Sequence, residues 1–323
     1  MKPTESLSRN TEVVADSLYA MIKRERSPST YRDGYLDSSD PEMITSEDRK
    51  KLVDWCYGVV DHCHFSRETV ASAMEMVDRF LSMPSNSADV ARVCEQALRD
   101  RSKFQLLTIA ALYSAIKINE RAALSSDLFS DICSQSYTSE EIEGMERILL
   151  NGLSWRCHKP TAHQVGLSIL SLVLPYVDIP EVTWGFIMDE MKYLTELAVQ
   201  DYYFSTQRTS TIALAAIFNV ISDTSTKDRQ KLLRAFLSVI IECFEFDHSD
   251  QIEAARRRLR SLTNTDTVEG DMDDNLSFTE SVKTFKISNS SSALRRDHCT
   301  HDADEFGSGN VVTPCSSVRD LSC

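Results

Sequence analysis

The sequence predicts an all-α fold made of two successive helical domains. Apolar residues recur at helical spacing through most of the chain, and alternating runs bounded by Asn-Gly or Asp-Gly turns are absent. Only nine glycines occur in 323 residues, and 42% apolar with 26% charged residues is typical of a soluble globular protein. A chain of this length has room for two domains of ordinary size.

Residues 1–44 are predicted to form an N-terminal segment with one short helix. Its amphipathic stripe consists of Val14, Leu18, Met21 and Ile22. Pro28 ends this helix, because proline cannot continue it. The N-terminus lacks the apolar core of a signal peptide, and the apolar stretches fall well short of the ~20 residues that span a bilayer. We therefore expect a protein inside the cell that makes no membrane contact.

The first domain, residues 45–157, is predicted to begin with two amphipathic helices. In the first helix, apolar residues recur at i, i+3, i+4, i+7, i+8 and i+11, at Leu52, Trp55, Cys56, Val59, Val60 and Cys63. Ser66 can cap the second helix, whose inner face would comprise Val70, Ala73, Met74, Val77 and Leu81. Residues 84–101 then separate these helices from the rest of the domain.

A buried helix is predicted from Phe104 to Ile116, because this run is apolar nearly all round. Lys117 closes the run, where the helix dipole favours a cation by ~0.3–1 kcal/mol. After a short helix near residues 128–133, Thr138 and Glu141 have capping-box spacing and begin a further helix. The inner stripe of that helix consists of Ile142, Met145, Leu149 and Leu153, with Glu146 at its edge.

The second domain, residues 158–262, is predicted to repeat the same plan. Thr161 and Gln164 again have capping-box spacing. Helices are expected near residues 162–174, 181–200, 206–222, 228–244 and 249–261. The run Ile212–Ile221 has the same apolar character as Phe104–Ile116, about a hundred residues earlier. We therefore expect five helices around a buried one in each domain.

Residues 263–323 are predicted to form a disordered tail. Hydrophobic periodicity disappears there, and the segment is Ser-rich with 11 Asp or Glu against 5 Lys or Arg. The helices are complete before it, so a chain ending near Leu262 is expected to fold. Ser27 and Thr313 each precede a proline and are minimal proline-directed phosphorylation sites, although such dipeptides also occur by chance.

Composition and motifs favour a binding protein over an enzyme. The sequence contains no Gly-rich phosphate loop, G-x-S-x-G elbow, H-E-x-x-H string or kinase signature. The nine cysteines never form C-x-x-C, and His62 and His64 do not share the helical face of Cys56 and Cys63, so neither a metal nor a cofactor is expected. A net charge of −14 disfavours direct binding of nucleic acid.

Four strings of the first domain resemble the first cyclin box, the helical module by which cyclins activate kinases. They are RKKLVDW at Arg49–Trp55, DRFLS at Asp78–Ser82, the run Phe104–Ile116 with Lys117, and MERILL at Met145–Leu150. The five signature residues of the cyclin box match in identity at Arg49, Asp78, Leu106, Lys117 and Glu146. The chain therefore resembles a two-box cyclin. The long junction at residues 84–101 and the pair Trp155-Arg156 resemble plant D-type and diatom-specific cyclins.

The resemblance implies a role for each signature residue. Arg49 and Asp78 would pair inside the box, where removing one partner costs ~3–5 kcal/mol, and Leu106 would pack beside them as scaffold. Lys117 and Glu146 would lie on the surface and bind a cyclin-dependent protein kinase. The implied function is a regulatory subunit that activates this kinase to control cell-cycle progression, in the nucleus and cytoplasm.

Two alternatives and two departures accompany this interpretation. A cyclin-fold transcription factor would bind DNA or the transcription machinery, and a cyclin-like scaffold would no longer activate a kinase. Many cyclins have two glutamates shortly after the signature lysine, but here only Glu120 follows Lys117. The MRAIL string that docks substrates in many cyclins reads Asp48–Leu52 here, with charged residues replacing its methionine and isoleucine, so docking through this groove is not expected.

Overall fold

The computed structural model describes residues 3–25, 34–36, 40, 42–82, 87–121, 124–243, 249–263 and 277–286. All regular secondary structure in these ranges is helical, which confirms the all-α prediction. No helix within them is long and apolar enough to cross a membrane. Ser27 and Thr313, the two predicted phosphorylation sites, lie outside the described residues.

Seven helices make up the first half of the described chain. They are α1 (Pro3–Glu25), α2 (Ser46–His62), α3 (Glu68–Ser82), α4 (Ala88–Arg99), α5 (Arg101–Asn119), α6 (Ser126–Ile132) and α7 (Ser139–Gly152). The capping box predicted at Thr138 is present at the start of α7, and Thr45 forms another with Asp48 at the start of α2. All five helices predicted for the first domain are therefore found, and α4 is additional.

Helix α5 is the centre of the first half. It packs against α3, α4 and α7, and twelve of its side chains are buried, including Leu106. Helix α4 occupies the long junction to which no element was assigned, with Val90, Val93 and Ala97 facing the core. The spacing of these three residues is the helical signal in the junction.

The second half repeats this arrangement around α10. Its helices are α8 (Ala162–Val173), α9 (Glu181–Gln200), α10 (Thr209–Asp223), α11 (Thr226–Cys243) and α12 (Ser249–Thr263). Helix α10 is buried along its length and contacts α8, α9, α11 and α12. It begins three residues later than predicted, because Tyr202–Thr206 form a separate 3-10 turn. The N-terminal helix α1 packs on α8 and α11, and Glu25 Oε1 accepts a hydrogen bond from Ser210 N at 2.9 Å.

A further helix, α13, covers residues 278–286, which belong to the segment predicted as a tail. The Phe278 ring is fully buried and meets Phe218 edge to face with 5.2 Å between ring centroids. The backbone N–H of Phe278 donates to Glu253 Oε2 at 3.0 Å. Val282, one turn later, is also buried. This apolar pair at i,i+4 is the sequence signal for α13, and the polar composition of the segment concealed it.

Met1–Val282 form one compact unit, and the predicted domain boundaries stay a prediction.

A buried ion pair joins α2 to α3. The Arg49 guanidinium donates to both carboxylate oxygens of Asp78, with 3.0 Å from Nε to Oδ1 and 2.7 Å from Nη2 to Oδ2. Arg49 Nη1 donates to the carbonyl of Val199 at the end of α9, at 2.7 Å. The pair therefore also holds the second half of the molecule against the first.

Tyr35 completes the surroundings of Asp78. Its hydroxyl donates to Asp78 Oδ1 at 2.7 Å, and its ring packs edge to face on Tyr202 with 5.3 Å between centroids. Burial, followed by the negative charge of Asp78, raises the pKa of Tyr35 well above its ordinary value. The hydroxyl therefore stays protonated and remains a donor at any pH near neutrality.

We expect Asp78→Ala to lower the free energy of unfolding by ~3–5 kcal/mol, because it leaves the Arg49 charge buried without its anion. Tyr35→Phe, which removes one hydrogen bond and leaves the ion pair intact, should cost about 1 kcal/mol. Chemical denaturation followed by circular dichroism measures both values. Equal losses in the two variants would contradict a central role for the ion pair.

We expect Phe278→Ala in the full chain to cost about 3–5 kcal/mol, the range for emptying a buried phenylalanine site. A chain ending at Leu262, which is expected to fold, should be destabilised by a similar amount. The exposed neighbour Glu280→Ala is the matched control and should melt like wild type. Unchanged melting of the Phe278 variant would mean that α13 adds nothing to the stability of the fold.

Candidate partner-binding site

Lys117 and Glu146 form an ion pair between the end of α5 and the middle of α7. Lys117 Nζ lies 2.6 Å from Glu146 Oε1 and 2.7 Å from Oε2. Ser114 Oγ, one turn before Lys117 on α5, lies 2.8 Å from Glu146 Oε1 and can donate its single proton there or to the Ala110 carbonyl. The structure thus brings the two predicted partner-binding residues into direct contact.

The two members of this pair differ in exposure. Glu146 is only 8% exposed, whereas the side chain of Lys117 is 40% exposed. The expectation that both lie on the surface is therefore wrong for Glu146, because the sequence does not show that Lys117 and Ser114 satisfy its carboxylate. Lys117 Nζ also lies 4.3 Å from the centroid of the Tyr113 ring, a cation–π distance. Glu146 and Tyr113 thus fix the direction of an ammonium group that remains open to solvent.

A cavity of about 230 Å³ opens beside the ion pair. Its lining comprises Tyr113, Lys117, Glu143, Glu146, Arg147, Leu150 and Trp155. The cavity therefore combines an apolar wall with a charged rim, an arrangement suited to receiving an apolar side chain of a partner.

Trp155 is the residue of this site that sequence reasoning did not assign to it. It is 68% exposed, and both it and Ser154 have left-handed backbone conformations, with φ of 59° and 51°. Such angles are uncommon for residues other than glycine. The turn is held by the Trp155 N–H, which donates to the Leu150 carbonyl at 2.9 Å. The sequence did offer a signal for this assignment, because Trp155 follows α7 closely and does not belong to the inner apolar stripe of that helix.

Glu120, the single glutamate after the signature lysine, has a local structural role. Its Oε1 accepts hydrogen bonds from Ser66 N, at 3.0 Å, and from Thr69 Oγ1, both beside the start of α3. A carboxylate at this position satisfies otherwise unpaired donors near the helix N-terminus. Glu120 is therefore engaged within the chain.

Asp48 has a comparable role at the start of α2. It completes the capping box with Thr45, and Arg101 Nε donates to its Oδ1 at 2.9 Å. The hydrogen bond from Arg101 is the main cause of a lowered pKa for Asp48. The charged residue that replaces the methionine of the docking string is thus held in place by two neighbouring segments.

The cysteines near these helices behave as buried thiols. Burial raises the pKa of Cys94 and of Cys133 to about 11, and it also raises that of Cys56. Within the described part of the chain, no group of three or more His, Cys, Asp or Glu side chains could hold a metal ion.

Comparison with protein-family models matches residues 16–158 to the cyclin N-terminal domain, a segment that contains all five signature residues. Residues 16–158 of this chain therefore form a cyclin N-terminal domain. Among the relatives of the chain, cyclin-A2-1 of Oryza sativa subsp. japonica is 26% identical over 204 residues, which cover 63% of this chain and 38% of that protein. The G2/mitotic-specific cyclin-B of Arbacia punctulata is 28% identical over 206 residues, 63% of this chain and 44% of that protein.

The solved structure of a viral cyclin from herpesvirus saimiri has a similar fold. It matches with a TM-score of 0.50 over 68% of this chain and 87% of that chain, at 13% identity. The chain spans less than half the length of the two curated relatives named above. Those relatives carry A-type and B-type names, and the D-type-like or diatom-specific subfamily stays a prediction.

Proposed function

We propose that this cyclin is the regulatory subunit of a heterodimer with a cyclin-dependent protein kinase, which it binds and activates in control of cell-cycle progression in the nucleus and cytoplasm. The observation that carries the proposal is the Lys117–Glu146 pair in the lining of a cavity that charged and apolar side chains share. Both residues match signature positions of the cyclin box, and the oriented ammonium offers charge-assisted hydrogen bonds to a partner.

The physical mechanism is a shift of the kinase population. In the cyclin family, the first box binds the mobile C-helix of the kinase and turns it inward, which completes the ATP-binding site. Lys117 would donate to carbonyl groups at one end of that helix, while the cavity beside Trp155 would take an apolar side chain. These contacts form only when the C-helix of the kinase is turned inward. Their binding free energy therefore stabilises the active conformer of the kinase relative to the inactive one.

The charge of the chain and the state of the site support this proposal over its two alternatives. A cyclin-fold transcription factor that binds DNA needs a basic surface, and this chain has a net charge of −14. A scaffold that had lost kinase binding would be free to lose Lys117 or Glu146. Both residues are present and paired.

Lys117→Glu is the variant that tests the proposal most directly. It replaces a charge-assisted hydrogen bond, worth ~1.5–3 kcal/mol, with repulsion, so affinity for the kinase should fall by about one to two decades. Trp155→Ala should also weaken binding and leave the melting temperature unchanged, because this side chain is largely exposed. Pull-down of the kinase that co-purifies with wild type, its activity on a proline-directed substrate, and thermal melts provide the measurements.

Lys103→Glu is the matched control, because it makes the same charge change near the opposite end of α5, about 21 Å away. It should retain binding and activation. Glu146→Lys is less informative, since it places a cation at a buried position. It should lower stability more than Lys117→Glu, which sets a second carboxylate against Glu146 from a partly exposed position. If Lys117→Glu captured and activated the kinase as wild type does, Lys117 would not belong to the kinase interface. If wild type itself captured and activated no kinase, the scaffold or transcription-factor function would replace the one proposed.

We further expect peptides with the Arg-x-Leu docking motif to bind this cyclin no better than scrambled peptides. The groove formed by MRAIL in other cyclins carries Asp48, fixed by Thr45 and Arg101, and the exposed Lys51 in place of apolar side chains. Isothermal titration calorimetry with the kinase complex measures this. Tight, sequence-dependent binding would refute the expectation and would leave the kinase proposal intact.

A further inference from the structure

The outer face of α9 carries an exposed apolar stripe. Val182 is 85% exposed, Phe186 44% and Tyr193 48%, and half-buried Leu197 continues the series. Spacings of four and seven residues place these side chains on one side of the helix. The opposite side is the buried one and comprises Ile187, Met191, Leu194, Thr195 and Ala198. Helix α9 is therefore apolar on two faces, of which the fold buries one.

Exposed apolar residues are concentrated in this part of the molecule. Ten large apolar side chains are exposed among the described residues, and five of them lie between Leu174 and Tyr193. A surface helix ordinarily has a polar outer face, and clustered exposed apolar side chains mark interaction surfaces. The stripe on α9 is thus a candidate for covering by another molecule.

The centre of the stripe is acidic. Asp189 and Glu190 lie midway between Phe186 and Tyr193, and neither forms an ion pair or hydrogen bond within the described part of the chain. With Val182 as position i, the apolar residues occupy i, i+4, i+11 and i+15, and the two carboxylates occupy i+7 and i+8. This pattern is the same when it is read in either direction along the helix.

We propose that this face of α9 docks an amphipathic helix of another protein, with apolar side chains at the same spacing and arginine or lysine at its centre. Two helices pack along such stripes when apolar rows interlock, and the central cations would satisfy the carboxylates as the apolar ends exclude water. From Val182 to Leu197 the stripe is about 22 Å long, which requires roughly four turns of the partner helix.

The charge pattern argues against other occupants. A second copy packed on the same face would bring Asp189 and Glu190 against their own counterparts, because the stripe is symmetric about these residues. Anionic lipid surfaces and nucleic acids would meet the same repulsion. A basic helix is the occupant whose charge complements the stripe.

The probe for this docking surface is a fluorescein-labelled 18-residue helical peptide with Leu at i, i+4, i+11 and i+15 and Arg at i+7 and i+8. The control peptide has Glu in place of both Arg residues. Titration with the full chain, followed by fluorescence anisotropy, should give an affinity at least tenfold higher for the Arg peptide. The double variant Asp189→Arg with Glu190→Arg should reverse that preference.

Two further variants assign the binding to α9. Phe186→Ala with Tyr193→Ala should weaken binding of the Arg peptide at least tenfold, whereas Tyr19→Ala, an exposed tyrosine on α1, should not change it. Lys117→Glu should leave peptide binding intact, which separates this surface from the proposed kinase site. All these changes lie at exposed positions except that at Glu190, which is half-buried, and thermal melts verify that each variant folds.

Four results would overturn the proposal. Equal binding of both peptides would mean that they bind through non-specific apolar contact. Binding unaffected by the α9 variants would mean that the peptide is attracted to acidic residues elsewhere on the chain. Self-association of the wild type in sedimentation, lost in the Phe186 and Tyr193 variant, would make a second copy the occupant. Absence of binding by the Arg peptide would equally refute a basic helical partner.

Discussion

The Arg49–Asp78 ion pair is the constraint on which the geometry of the molecule depends. Its two charges are buried, so each must remain against the other, and this fixes α2 relative to α3. Helix α5 packs on α3, and α7 packs on α5. Because Lys117 and Glu146 belong to α5 and α7, the position of the candidate site follows from a contact made elsewhere in the first half.

The sequence predicted those features that depend on local pattern. The apolar run of α5 and the capping box of α7 have short-range signatures, and both were found where expected. The partner of Arg49 Nη1 could not be predicted, because a backbone carbonyl such as that of Val199 has no sequence signature. The contact between Lys117 and Glu146 was also hidden, since it depends on how α5 and α7 cross. Helix α13 was missed because its three large apolar residues, Phe278, Val282 and Phe285, stand in a segment that is mostly polar over its length.

Two departures from the cyclin pattern share one physical explanation. Asp48 and Glu120 both accept hydrogen bonds at or near the start of a helix, where backbone N–H groups lack partners within the helix. A residue that serves the fold in this way is not available to a binding partner. The replacement of the methionine by Asp48 thus stabilises the start of α2 and also changes the surface that the chain offers to other proteins.

The contact between Arg49 and Val199 has a consequence for the order in which this chain assembles. The two residues are 150 positions apart, and Glu25 reaches Ser210 across 185 positions. During synthesis, domains generally fold from the N-terminus, but here the first half leaves the ribosome with one buried donor of Arg49 still lacking its acceptor. Helix α1, which precedes both elements in the chain, must likewise wait for α8 and α11 before it has a surface to pack on. Helix α1 therefore reaches its final position later than helices that follow it in the chain, and the nascent chain must keep it accessible until α11 has emerged.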